Sequence, residues 1–267
     1  MQVLAVTHEN HANKSWRAAR TYEFAAGWAT QPVVQAEAEK VAAAFPMAFH
    51  QHDGTWDLVA LLGVQPGHSL AVSAQGQWLG RYIPALVRAY PFTLATPKGA
   101  PAPVLCVDES TGLVGEGGDG TAFFDGSGKP TEALSAIIEL LRQVALSRAR
   151  TRSACAALAD AGLMSPLTIG LRTPDGKPAE VPTLDNLYLV DAEKFARLSD
   201  ESFLALRTHD ALALAYAQRL SLQQFDALDQ MGRQRPPGAP SAAPPASAAP
   251  AGVPGVTVQD TVLWFTW

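Results

Sequence analysis

The sequence predicts an α+β protein: an N-terminal antiparallel sheet with flanking helices, then a helical C-terminal half with a small second β unit. Three observations carry that expectation. Short apolar runs separated by Gly- and Pro-containing turns fill residues 47–108, as antiparallel strands do. Beyond Pro130 the apolar residues recur every three or four positions, as on one face of a helix. Between the later helical stretches, Asp175-Gly176 separates two further strand-like runs.

The first helix pattern follows Pro32. Val34, Ala38, Val41 and Phe45 recur at helical spacing, and Pro46 ends it. Met47–His52 and Trp56–Val64 flank Asp53-Gly54, a hairpin signal because Gly accepts the positive φ that a tight turn requires. Pro66-Gly67 turns the chain, Ser69–Ala74 reads as a strand, and Gln75-Gly76 turns it again. Pro91–Ala95 and Val104–Asp108 read as two more strands. The Gly- and Asp-rich run Thr111–Gly128 reads as a loop.

Thr131 and Glu132 suit a helix start. Leu134, Ile137, Ile138, Leu141, Val144 and Ala145 supply its apolar stripe, which is expected to run through Leu158 and stop at Gly162. A small β unit follows, with strands at Leu167–Arg172 and Leu184–Val190. Four short helices come next, roughly Ala192–Leu198, Glu201–Leu206, Ala211–Leu220 and Leu222–Met231. Asp191, Ser199 or Asp200, Asp210 and Ser221 stand where N-caps belong.

Composition then shifts. Arg235–Pro254 holds seven of the chain's 20 prolines, and residues 232–255 read as an extended Pro/Ala-rich linker. At ~3.1 Å per residue such a segment reaches on the order of 60 Å. Residues 256–267 turn hydrophobic again. The expected organisation is an α+β domain over 1–231, the linker, and a hydrophobic tail.

At 48% hydrophobic and 17% charged, the 267-residue chain can bury a sizeable core. Its net charge of -5 argues against nucleic acid as a partner, because phosphate binding needs a basic footprint. No apolar run approaches the roughly 18–20 residues that span a bilayer, so no membrane span is expected. The first residues lack the basic start and apolar stretch of a secretory signal, so the expected address is cytoplasmic. The alternative is export to the cell surface by an uncleaved C-terminal signal. Two cysteines exclude both a disulfide scaffold and a four-cysteine zinc site.

Little of the chain suggests catalysis. His50 and His52 would share one side of a strand, and His8 and His11 one face of a helix, but neither pair has a third ligand at usable spacing. No metal is expected. The run Gly115–Phe123 is acidic and lacks Gly-Lys-Ser/Thr, so it reads as an ordinary loop and not a phosphate cradle. No cofactor is expected. Cys106 lies in an apolar strand and Cys155 among helical alanines, where thiols are usually inert. There is no Gly-x-Ser-x-Gly elbow and no recognisable catalytic motif.

The densest stretch runs from Trp78 to Phe92. Trp78, Arg81, Tyr82, Arg88 and Tyr90 read as a binding surface, since Trp, Tyr and Arg are the residues that anchor interfaces. If Pro84 opened a helix, Arg81 and Arg88 would share a face. The competing reading makes the same aromatics part of the core. Cys106 and Asp108 mark an alternative pocket.

The chain also resembles the bacterial SapC-like family. The matching features are Trp56-Asp57-Leu58-Val59-Ala60-Leu61-Leu62-Gly63, Trp78 with Arg81-Tyr82-Ile83-Pro84-Ala85, and Arg88 with Tyr90-Pro91-Phe92. Others are Cys106-Val107-Asp108, Phe124-Asp125 with Gly128-Lys129-Pro130-Thr131, Leu187-Tyr188 with Val190-Asp191, and Tyr216–Leu222. Together they cover about residues 1–231. Gln218 departs from the pattern, standing where many relatives carry His. The family's name comes from a surface-layer association, and its genes often neighbour those for TonB-dependent receptors, halogenase-like and cupin-like proteins. The resemblance therefore implies a non-catalytic binding or accessory protein of a surface-layer or TonB-linked envelope uptake system, with a protein partner. The alternative it leaves open is an enzyme or enzyme subunit working with oxidative or modifying neighbours.

The tail falls outside the family pattern. Leu263, Trp264, Phe265 and Trp267 would expose a sticky apolar surface unless buried or used. The expectation is docking on the chain's own domain or on a neighbouring copy, with a separate partner or export as alternatives.

Overall fold

A computed structural model of the chain describes residues 3–97, 102–117, 120–170 and 183–233. In chain order the strands are β1 (Val3–Ala5), β2 (Lys14–Trp16), β3 (Thr30–Pro32), β4 (Met47–His52), β5 (Thr55–Leu61), β6 (Phe92–Ala95), β7 (Val104–Asp108), β8 (Val114–Glu116), β9 (Thr121–Ala122), β10 (Met164–Pro166) and β11 (Leu187–Val190). The α-helices are α1 (His8–His11), α2 (Ala38–Ala42), α3 (Ala85–Ala89), α4 (Glu132–Asp160), α5 (Ala192–Ala196), α6 (Asp200–Thr208), α7 (Ala211–Ser221) and α8 (Phe225–Arg233). All strand pairings are antiparallel, and helices dominate the C-terminal half, so the fold is α+β as expected. Among the described residues no helix is long and apolar enough to cross a membrane.

The chain forms two compact units. The smaller holds the described residues up to Arg20 and Ala85–Ala145. Its main sheet has the order β1-β7-β6, with Leu4 opposite Val107 and Thr93 opposite Cys106. Val6, Phe92, Leu105, Val107, Phe123, Leu134 and Leu141 form its core, and Trp16 meets Phe92 edge-on with ring centroids 4.9 Å apart. A second sheet, β8-β2-β9, corrects the expected loop at Thr111–Gly128. Strand β2 supplies the hydrogen bonds that this Gly-rich run lacks locally, and Ser15 Oγ donates to the Gly117 carbonyl at 2.7 Å.

The larger unit holds Thr21–Pro84 and the described residues from Leu146 onward. Its five-stranded sheet has the order β10-β11-β4-β5-β3. The β4–β5 hairpin turns at Asp53-Gly54, both with positive φ (46° and 72°), as the shortest hairpin loops require. Phe49 faces Leu58 and Met47 faces Ala60 across it. Pro32 and Pro166 lie on the two edge strands, where a missing N–H breaks no ladder. Phe45, Met47, Phe49, Leu58, Leu61, Ala154, Cys155, Leu158 and Leu214 belong to the core.

Several expectations need correcting here. Ser69–Ala74 is no strand. Only a Val72–Trp78 bridge forms, because Ser73 Oγ accepts from the N–H groups of Gln75 and Gln77 and tightens the turn. The first strand of the small β unit is Met164–Pro166 instead of Leu167–Arg172, and Asp175-Gly176 lies outside the described residues. Asp191 and Ser199 do cap their helices. Asp210 makes no side-chain cap and holds φ 55°, while Ser221 turns inward to bond the core. Helix α8 runs to Arg233, two residues into the span read as linker; the rest of that span and the tail lie outside the described residues.

Candidate functional site

The larger unit carries a ladder of aromatic rings. Tyr22 stands against Trp78 with centroids 5.5 Å apart, Phe24 follows at 6.0 Å from Tyr22, and Trp28 at 5.4 Å from Phe24. Phe45 supports Trp78 from inside at 5.7 Å and is fully buried. Tyr22, Phe24, Trp28, Trp78 and Tyr82 are all half-buried, so the ladder has a covered side and a solvent side.

Local hydrogen bonds set the orientation of these rings. Trp78 Nε1 donates to the Tyr82 carbonyl at 2.9 Å, and the Tyr82 hydroxyl donates to Glu37 Oε2 at 2.9 Å. The Tyr22 N–H donates to the Gly76 carbonyl at 2.7 Å, tying the Gln75-Gly76 turn to the first ring. Gly80 is required by close approach, since a Cβ there would lie 2.2 Å from the Phe45 ring. With Trp78 Nε1 and the Tyr82 hydroxyl engaged internally, the half-buried rings leave part of their apolar surface to solvent. Arg81 is exposed and adjoins it in sequence.

The anticipated residues do not gather as one helix face. Helix α3 begins at Ala85, so Arg81 lies outside it and shares no face with Arg88. Trp78, Arg81 and Tyr82 belong to the larger unit, whereas Arg88, Tyr90, Cys106 and Asp108 belong to the smaller. Arg88 is exposed in α3. The Tyr90 hydroxyl lies 3.4 Å from Asp108 Oδ2, and burial together with that carboxylate pushes its pKa up to about 12. Asp108 Oδ1 accepts from the Ser110 N–H and hydroxyl. Cys106 is fully buried beside Ala95 and Val104, and burial pushes its thiol up to about 11. Burial likewise lifts Cys155 to about 12. Both thiols stay protonated at neutral pH, which is the unreactive form.

Three features escaped the sequence reading. Tyr22, Phe24 and Trp28 lie in a stretch with no clear periodicity, and only their density hinted at a shared role. Asp57 is clasped by two arginines of α4, with Arg152 bonding both carboxylate oxygens at 2.8 and 2.9 Å and Arg148 at 3.4 and 3.1 Å. Burial would raise the Asp57 pKa, but the hydrogen bonds from Arg152 and Arg148 prevail and hold it at about 2. The four-residue spacing of the arginines was its one visible signal. A cleft of about 860 Å³ lies between the β10–β11 strands and the start of α6, lined among others by Ser165, Asp191, Lys194, Arg197, Ser199 and Ser202.

The histidines of the two pairs are engaged by other rings. His8 and His11 lie on α1 against Phe124 and Phe123, and His50 stacks on His52 at 5.3 Å. Among the described residues, no group of three or more His, Cys, Asp or Glu side chains is gathered as a metal ion would need. In comparison with known protein families, residues 6–228 match the one described as SapC. No curated protein and no solved structure matches the chain.

Proposed function

Since this chain belongs to the SapC family, we propose that it is a non-catalytic binding or accessory protein of a bacterial surface-layer or TonB-linked envelope uptake system. The observation that supports this reading is the half-exposed ladder of Tyr22, Phe24, Trp28 and Trp78. Rings held in place by packing and by internal hydrogen bonds lose little freedom on association, so their contact area converts efficiently into affinity. Trp, Tyr and Arg are also the residues that dominate binding energy at protein interfaces. Exposed Arg81 adds a fork suited to a partner carboxylate. A protein partner offering apolar side chains beside an acidic group fits this surface.

The test is capture from an envelope extract, with wild type compared against a Tyr22→Ala, Arg81→Ala double variant. The wild type should retain a surface-layer or TonB-linked component that mass spectrometry identifies. The variant should retain at least tenfold less while keeping its melting temperature within a few degrees. Equal capture by a folded variant would overturn the assignment of the surface. Recovery of partners from neither system would overturn the function.

A further inference from the structure

The clasp around Asp57, where the β4–β5 hairpin meets α4, is unequal in charge. Arg148 and Arg152 each engage Nε and Nη2 with the one carboxylate. Two guanidinium charges therefore share a single negative charge. Side-chain exposure rises from 7% at Asp57 to 19% at Arg148 and 40% at Arg152. The carboxylate is the covered end of the cluster, and the arginines reach toward solvent. Among the described residues, Nη1 of neither arginine has a hydrogen-bond partner.

The hairpin places two imidazoles on the same face. His50 is the cross-strand partner of Asp57, and His52 puts Nε2 3.6 Å from Asp57 Oδ2. Asp53, Asp160 and Asp185 are the other carboxylates on residues 47–61, 146–160 and 183–190. All three are exposed, and none bonds either arginine. Asp185 acts on His50 instead. A charge held partly out of water without its own counter-ion favours a second anion. Guanidinium N–H groups suit the paired oxygens of a carboxylate or phosphate. The low exposure of Arg148 favours a small ligand over a flat protein surface. We infer that Arg148 and Arg152 form a binding site for the carboxylate or phosphate group of a small-molecule ligand. Asp57 orders both forks before that group arrives, so little side-chain freedom is lost on binding.

NMR of the arginine Nε–H groups in the full chain tests this. It involves no ring of the aromatic ladder, so its result is independent of the binding function proposed above. At constant ionic strength, inorganic phosphate or succinate should shift the Arg148 and Arg152 signals saturably and leave Arg150 in place. Tighter binding of one probe names the ligand's group. Arg152→Gln should weaken that binding about tenfold. Arg150→Gln removes the same charge from an exposed position of α4 and should change it less than about twofold. Circular dichroism checks that each variant is folded. If Arg152→Gln does not fold, the wild-type shifts decide: saturation must appear at Arg148 and Arg152 and not at Arg150. Failure of both probes to saturate these two signals overturns the inference. Unchanged binding by a folded Arg152→Gln variant overturns it too. So does equal weakening by Arg150→Gln and Arg152→Gln, which would leave only diffuse surface charge.

Discussion

Gln218 is fully buried on α7, and both ends of its amide are used. Its Oε1 accepts from the Val190 N–H at 3.1 Å, and its Nε2 donates to the Met47 carbonyl at 3.1 Å. Ser221 Oγ accepts from the Met47 N–H at 2.8 Å, so α7 holds the first residue of β4 through both of its main-chain groups. A buried donor or acceptor left unpaired costs about 1–3 kcal/mol. Gln218→Ala should therefore lower unfolding stability by about 2–4 kcal/mol in urea titrations. Gln218→His should lose less, since a neutral imidazole keeps one donor and one acceptor. Asp57 shows the same economy in charge. Its pKa lies below the ordinary carboxylate value, so its contribution to stability is complete above about pH 4 and disappears as pH falls through about 2. Arg152 is partly exposed and solvent weakens its share, which limits the contribution to roughly 2 kcal/mol at neutral pH. The stability gap between wild type and Asp57→Asn should be largest at pH 7 and close between pH 4 and 2. A gap that persists at pH 2 would assign the effect to packing instead.

The helices of the C-terminal half differ in how they begin. Asp191 accepts from the N–H groups of Glu193 and Lys194, and Ser199 accepts from Ser202, which satisfies donors that the first turn leaves unpaired. Asp210 stands at an equivalent sequence position but adopts a left-handed backbone and makes no such bond. Thermal unfolding should therefore separate them. Asp191→Ala and Ser199→Ala should each cost about 1 kcal/mol. Asp210→Asn should stay within about 0.5 kcal/mol, because Asn tolerates the left-handed region as well as Asp does. At the other extreme is α4, whose 29 residues contribute Leu134 and Leu141 to one core and Ala154, Cys155 and Leu158 to the other.

Each unit is organised around its own buried cluster. In the larger one, stability should be graded by burial. Leu58–Leu62 is buried without interruption, whereas α6 buries only Leu206. Regions with few buried apolar contacts open most readily. Native-state exchange should therefore be slowest in β5 and fastest among this unit's longer helices in α6. The reverse order would mean that burial does not set local stability in this protein.

Local signals were legible because their physics is local. Asp53-Gly54 specified its hairpin through the positive φ of both residues. The stripe from Leu134 to Leu158 and the left-handed Gly162 marked the long helix and its stop. Asp191 and Ser199 marked helix starts for the same reason, since a cap acts over two or three residues. Nothing in composition breaks at Arg20, Pro84 or Ala145, so the division into two units was invisible. The β8-β2-β9 sheet, the Asp57 clasp and the inward turn of Ser221 pair residues from about 90 to over 170 positions apart. The aromatic ladder likewise joins Tyr22 to Trp78. Such pairs carry no spacing rule, because two groups distant in the chain meet only when the packing of everything between them brings them together. The sequence by itself thus determined the elements and the unreactive character of its two thiols. Tertiary packing alone decided which aromatics share a surface and which carboxylate the arginines hold.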